Sequence, residues 1–243
     1  MRVAQGSWTE VAYEVAMNDE ADEARWCFDA CIFIDDAGRL AMRIAFDSAS
    51  EDLEVVHIND LASAESSAYL LQFDSVHGQW GHNVTVNKDG NIEIEKKDGT
   101  VAVVTYSQCK SPEAIDCKAL GVDMVLEGTG VFLTRKSLQP YFDNGAKKVV
   151  VTAPVKDKDA PVTNIVYGVN HNVYNAAADN IVTAASCTTN CLAPVVKVIQ
   201  EHLKIKHGCI TTVHDVTNTQ SILDAPNAKK SDLRRARCDT LLL

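Results

Sequence analysis

The stretch LEVVHIND, Leu53 to Asp60, decides the fold: a short, mainly apolar run from Leu53 to Ile58 stops at the turn-forming pair Asn59-Asp60. A strand with one solvated face alternates apolar and polar residues. A strand covered on both faces of a parallel sheet reads instead as a brief apolar run bounded by turn residues. The same pattern recurs at Val122 to Leu126 before Gly128-Thr129-Gly130, at Val149 to Val151 before Pro154, and at Ile165 to Val169. Helical segments lie between these runs, so the chain reads as β-α-β units wound into a doubly wound, Rossmann-type α/β domain. Residues 84–106 differ. In NVTVNKDGNIEIEKKDGTVAVV the residues alternate, and Asp89-Gly90 and Asp98-Gly99 supply hairpin turns, which predicts an antiparallel insert.

With 243 residues, 46% of them hydrophobic and 23% charged, the chain is long and apolar enough to bury a substantial core. Thirty-three acidic against 23 basic residues give a net charge of −10 and a pI near 5.1, which argues against a dedicated nucleic-acid site. The apolar runs are far shorter than a bilayer span, and the N-terminus carries no basic segment followed by an apolar core. Eight unevenly spaced cysteines read as thiols of a reducing compartment, so a soluble, cytoplasmic protein without membrane attachment is expected. The charge is concentrated at one end: residues 1–37 hold nine acidic side chains against Arg2 and Arg25. That composition is the reverse of a transit peptide, and apart from a possible amphipathic helix around Trp8 to Met17 the segment receives no assignment.

The chemistry centres on NIVTAASCTTNCLAPVVKVIQEHL, residues 180–203, which places Cys187 where a strand stops and a helix begins. Unpaired N–H groups and the partial positive charge of a helix N-terminus can bring a thiol's pKa from about 8.5 into the range of about 3.5–7.5. Cys187 is therefore a candidate nucleophile, with a small buried hydrophobe as the plain alternative. Cys191 takes that plain reading. The two cysteines stand one helical turn apart, but no second Cys or His pair at ligand spacing follows, so no metal site is expected. Further on, a strand-like CITTVH ends at His214, followed by the Thr-rich turn Thr217-Asn218-Thr219. An imidazole there could take a proton from a thiol or hydroxyl and return it. A satisfied strand-end histidine and a solvated arginine run at Arg234-Arg235 are the corresponding structural readings.

Taken together, SCTTNCLAP (186–194), TTVHDVTNTQ (211–220) and DLRRAR (232–237) resemble the phosphorylating glyceraldehyde-3-phosphate dehydrogenases. The likeness continues upstream, in the family's order, through VHIND (56–60), AYLLQFDSVHG (68–78), EGTGVF (127–132), GAKKVVVTAP (145–154) and VYGVNH (166–171), covering about residues 38 to 237. The resemblance implies an NAD-dependent oxidation in glycolysis, in which glyceraldehyde 3-phosphate and inorganic phosphate give 1,3-bisphosphoglycerate through a Cys187 thioester, with His214 as base. It further implies cofactor contacts from Gly38, Arg39, Asp60, Thr129, Gly130, Thr152 and Asn218. Phosphate contacts are implied for Ser186, Thr188, Thr217, Thr219, Arg234 and Arg235. The negative charge of Asp60 would repel a 2′-phosphate and favour NAD. Family members form homotetramers, so a homo-oligomer, or assembly with full-length subunits, is implied as well.

The chain departs from the family pattern at two places. With Gly38-Arg39 as the last G-R of the glycine-rich turn, Phe33 and Asp35 stand for its first two glycines. With Gly38 in the middle, Asp36 and Ala41 take the outer places. Either register brings an aspartate to a turn whose backbone amides should meet a pyrophosphate, which predicts weakened binding there. The resemblance also implies a chain ending inside the catalytic domain. The expected organisation is a divergent segment over 1–37, a nucleotide domain over 38–186 and an incomplete α+β catalytic domain over 187–243. Two alternatives accompany the dehydrogenase reading: an inactive paralogue or fragment acting as an interaction partner, and a cofactor-free reactive-thiol protein using Cys187 and His214.

Overall fold

The computed structural model describes residues 24–29, 36–47, 53–74, 77–96 and 98–214, which belong to two units, one reaching to Lys204 and one beginning at Ile205. The first unit is built on a sheet. Its elements are β1 (Ala24–Asp29), α1 (Asp36–Asp47), β2 (Leu53–Asn59), α2 (Ala64–Gln72) and the small β3 (Phe73–Asp74) and β4 (Gly78–Gln79). A meander of β5 (Asn83–Val86), β6 (Ile92–Glu95) and β7 (Val101–Ser107) follows. The chain continues through α3 (Cys117–Leu120), β8 (Met124–Glu127), α4 (Arg135–Asp143), β9 (Lys148–Val151), β10 (Thr163–Asn164), β11 (Ile181–Thr183) and α5 (Cys187–His202).

Nine strands form one sheet in the order β10-β11-β9-β8-β1-β2-β7-β6-β5, parallel from β10 to β7 and antiparallel beyond. The chain runs outward from β1 through β2 to β7, then crosses to the other side of β1 and runs outward again through β8, β9 and β11. This is the doubly wound order, and ligands of such sheets bind beyond the carboxyl ends of the strands, at the reversal between β1 and β8. The central strand comes from the 1–37 segment to which the sequence assigned no role. It is the element least legible in the amino-acid pattern.

The apolar runs have the physical cause expected of them. Successive strand residues face opposite sides. Val125, Val149 and Val151 join Leu138, Tyr141 and Ile181 in one core cluster, whereas Met124, Leu126 and Val150 join Met42, Leu71 and Ile94 in the other. Every residue of β8, β9 and β11 is buried. The two hairpin turns fall at Asp89-Gly90 and Asp98-Gly99, where both glycines adopt positive φ, +80° and +84°. This segment is not a free-standing insert: β7 pairs in parallel with β2, so the meander extends the main sheet.

Two predicted strands differ. Over Ile165 to Val169 the strand is displaced to Thr163–Asn164, and the apolar run forms a turn in which the Val169 and Asn170 amides both donate to the Val166 carbonyl. Ile165 and Val166 are nonetheless buried, so the run marks core rather than strand. The predicted strand CITTVH is absent. Residues 205–214 of the second unit hold no regular element and are exposed throughout. A strand exists only with a ladder partner for its backbone groups, and no described strand pairs with this segment. Helix α5 buries none of its residues, and Val195, Val196, Val198 and Ile199 are exposed. No helix among the described residues is long and apolar enough to cross a membrane.

Candidate functional site at the carboxyl edge of the sheet

Because the strands are parallel, their carboxyl ends share one edge, and the chain places its polar residues there: Asn59 and Asp60 at the end of β2, Glu127 and Thr129 at the end of β8, Thr152 after β9 and Ser186-Cys187 after β11. Backbone bonds lock the edge. The Thr152 amide donates to the Glu127 carbonyl at 3.0 Å, and the Ala184 amide to the Val151 carbonyl at 3.0 Å.

Asp60 is buried, and desolvation pushes its carboxyl above the ordinary range, opposed by the Ala62 amide and the charge of Arg39. Its Oδ1 accepts the Ala62 N–H at 3.0 Å. Gly38 and Arg39 lie in the first turn of α1 and, with Met42, Ile58 and Ser67, line a cleft that also receives Asp60. Among the described residues, a Cβ on Gly38 would meet nothing within 4 Å. An acceptor carboxylate at a strand end beside a helix start fits a dinucleotide's ribose. A second cleft is lined by Asn59, Leu61, Lys110, Pro112, Thr129 and Phe132.

Beneath the Thr129-Gly130 turn lies a residue that sequence reasoning passed over. Glu127 is 0% exposed. Its carboxylate accepts the Thr129 amide at 2.7 Å, the Thr129 hydroxyl, and the Tyr141 phenol of α4 at 2.6 Å. The turn at the sheet's reversal is thus tied to the helix behind it through one buried carboxyl group, and Gly130 completes it with φ +65°. The signal was present in EGTGVF, where an acidic residue ends a fully apolar strand. Replacing Tyr141 with phenylalanine removes one donor from that carboxylate without opening a cavity, so the fold should lose about 1.5–3 kcal/mol in denaturant unfolding.

At the end of β11 the chain turns sharply. Ala185 takes a left-handed conformation at φ +58°, and its amide donates to Thr183 Oγ1 at 3.1 Å. Ser186 then caps α5, its hydroxyl accepting the Thr189 amide at 3.1 Å. Asn190 clasps the corner, its side-chain amide donating to the carbonyls of Ala184 at 2.8 Å and Ser186 at 2.9 Å. This role for the Asn of SCTTNC was also missed. Cys187 is the first residue of the helix and is exposed, and Thr188 is half-buried. Cys191, read from sequence as a small buried hydrophobe, is exposed instead, because α5 buries nothing among the described residues.

Asp60, Thr129, Gly130, Thr152, Ser186, Cys187 and Thr188 therefore share one edge of one unit. His214 lies in the other unit, where it is exposed. Thr217, Asn218, Thr219, Arg234 and Arg235 lie outside the described residues, as do Phe33 and Asp35 of the glycine-rich turn. Among the described residues no cluster of His, Cys, Asp or Glu is placed to hold a metal ion.

One further buried group stands close to this edge. His57 of β2 has Nδ1 2.7 Å from Thr105 Oγ1 and Nε2 2.8 Å from Ser107 Oγ, and burial lowers its pKa to about 4. The Thr105 hydroxyl donates to the Val56 carbonyl, so its oxygen accepts from Nδ1–H. The unfolded chain binds this proton near pH 6.5 and the folded chain only near pH 4, so His57 withdraws stability as pH falls through that window. The loss reaches up to about 3 kcal/mol. Asp60, raised rather than lowered, acts in the opposite sense. Urea unfolding of the wild type and His57→Gln at neutral pH and at pH 4 should show the smaller acid loss in the variant; equal losses would refute the assignment.

The amino-acid sequence resembles those of known proteins. The family model described as glyceraldehyde 3-phosphate dehydrogenase, NAD binding domain, matches residues 36–135, and that for the C-terminal domain matches residues 186–241. Glyceraldehyde-3-phosphate dehydrogenase 3 of a Nostoc species is 49% identical over 207 residues, 85% of this chain and 57% of the relative. Glyceraldehyde-3-phosphate dehydrogenase of Haemophilus influenzae is 45% identical over 200 residues, 82% of this chain and 56% of the relative. The cytosolic enzyme of Chlamydomonas reinhardtii is 44% identical over 193 residues, 79% of this chain and 53% of the relative. The chain thus spans a little over half the length of these relatives. A doubly wound sheet, an acidic residue closing β2, a cysteine opening α5 and sequence matches to both domains together make this chain a member of the glyceraldehyde-3-phosphate dehydrogenase family.

Proposed function

We propose that this chain carries the family's reaction, the NAD-dependent oxidation of glyceraldehyde 3-phosphate with inorganic phosphate to 1,3-bisphosphoglycerate in glycolysis. The observation that carries the reading is the exposed Cys187 at the start of a 16-residue helix, on the same sheet edge as Asp60. The nucleotide domain would extend to residue 186 and the catalytic domain would begin at Cys187.

NAD would be held by Asp60 at the ribose, by the Thr129-Gly130 turn and Thr152 along the edge, by Gly38-Arg39 at the start of α1, and by Asn218. Bound there, it supplies a hydride acceptor. The Cys187 thiolate would attack the aldehyde carbon, forming a C–S bond as the carbonyl oxygen takes a proton from His214, and His214 would take that proton back as the C–H bond gives its hydride to the acceptor. Phosphate oxygen then attacks the thioester carbon and the Cys187 sulfur leaves as thiolate. Ser186, Thr188, Thr217, Thr219, Arg234 and Arg235 would hold the substrate phosphate and the attacking phosphate. We place the protein in the cytoplasm, as the similarity to cytosolic relatives of Chlamydomonas reinhardtii and rice supports, and in a homo-oligomer or an assembly with longer subunits of the family. The family matches favour this reading over an inactive interaction partner or a cofactor-free thiol protein.

The test is NADH formation by the purified chain from glyceraldehyde 3-phosphate and NAD. Turnover that stops when phosphate is withheld supports the proposal. Absence of NADH formation with every component present overturns it.

A further inference from the structure

The carboxylate at the end of β2 has two oxygens in unequal surroundings. Oδ1 of Asp60 is fixed by the Ala62 amide at 3.0 Å. Oδ2 faces the Ser67 hydroxyl of α2 at 3.4 Å, long for an O–H···O bond. The same Ser67 oxygen stands 2.8 Å from the phenol oxygen of Tyr106, on β7. Counting protons settles the direction of these bonds. The Tyr106 phenol donates to the Ala62 carbonyl at 2.9 Å, because a carbonyl can only accept. Gln108 Nε2 donates to that carbonyl as well, at 2.7 Å, filling its second lone pair. Tyr106 has one proton, and burial pushes its pKa up to about 12, so it remains a donor at all working pH values. Ser67, with one proton of its own, must then donate to the Tyr106 oxygen.

We infer that Tyr106 and Ser67 are positioning residues for the cofactor: Tyr106 draws the Ser67 proton away from Asp60 and so leaves Oδ2 as an open acceptor for a ribose hydroxyl. This rests on the proposed NAD site. Without the phenol, the Ser67 hydroxyl would turn to Oδ2, which burial leaves short of donors, and the ribose would have to displace it. Neither residue touches the cofactor in this account. Both act through Asp60.

The test compares wild type, Tyr106→Phe, Ser67→Ala and the double variant by calorimetric titration with NAD. Tyr106→Phe should bind roughly three- to tenfold more weakly, the span of about one lost hydrogen bond. Ser67→Ala should bind at least as tightly as wild type, and adding it to Tyr106→Phe should restore the affinity to within about twofold of wild type. A purely structural loss would not be rescued by deleting a second hydroxyl. Unchanged affinity in Tyr106→Phe, or a double variant as weak as Tyr106→Phe, overturns the inference.

A second readout needs no NAD. The carbon-13 carboxyl titration of Asp60 should move to lower pH in Tyr106→Phe, because a newly donated hydrogen bond favours the carboxylate, and return in the double variant. The charged group facing Asp60 is Arg39 of α1, and Glu65 of α2 acts on the Tyr106 phenol of β7; both charges are the same in Tyr106→Phe and the double variant, which differ only at Ser67. An unmoved titration overturns the hydroxyl arrangement. If wild type binds no NAD, the cofactor reading fails and the ribose role with it, while the titration still decides where the Ser67 proton lies.

Discussion

Cys187→Ser should lower NADH formation by roughly 10³-fold or more, the scale on which loss of a covalent nucleophile acts. The expectation follows from placement. The left-handed Ala185, the Ser186 cap and the Asn190 clasp hold the corner between β11 and α5 so that the thiol opens a helix at an exposed position. Serine preserves the shape and can cap or pack equally well, but its hydroxyl is a far weaker nucleophile at neutral pH. The remaining described cysteines supply the control. Cys191 and Cys209 are also exposed, yet neither begins a helix, so Cys191→Ser should retain activity and iodoacetamide should label Cys187 first. Equal turnover by wild type and Cys187→Ser would remove Cys187 from the reaction.

Leu138→Ala should destabilise the fold by about 2–5 kcal/mol, a large share of the roughly 5–15 kcal/mol that holds a typical domain. Leu138 is 0% exposed and packs with Tyr141, Val125, Val149 and Val151 on the face of the sheet below the Thr129 turn. The effect should exceed that of any exposed substitution on the same helix, because the side chains around a buried leucine cannot collapse fully into the space it leaves. Denaturant unfolding measures it directly. A loss under about 1 kcal/mol would mean that α4 is not held against the sheet as described.

The parallel sheet was legible because its strands are covered on both faces, which leaves mainly apolar runs at Leu53 to Ile58, Val122 to Leu126 and Val149 to Val151. The hairpin turns were legible because only glycine relieves the positive φ at Gly90 and Gly99. The strand Ala24–Asp29 was not, since ARWCFD mixes charge and apolar residues without the run its neighbours show. At the site, Asp60 and Cys187 could be found because each ends or begins an element. Glu127 carried a signal, an acidic residue ending an apolar strand, but Ser67 and Tyr106 did not, because their roles are hydrogen bonds between elements that no spacing along the chain encodes. CITTVH misled for a related reason: β-branched composition shows what a strand would use, while the ladder partner that makes it a strand is a tertiary fact.

The most direct test of the proposed chemistry is the mass of the protein after mixing with glyceraldehyde 3-phosphate and NAD in the absence of phosphate, followed by peptide mapping. A thioester acyl group on Cys187 that forms only when NAD is present, and disappears on adding phosphate, is the predicted result. An unmodified chain, or an adduct carried by another cysteine, would contradict it.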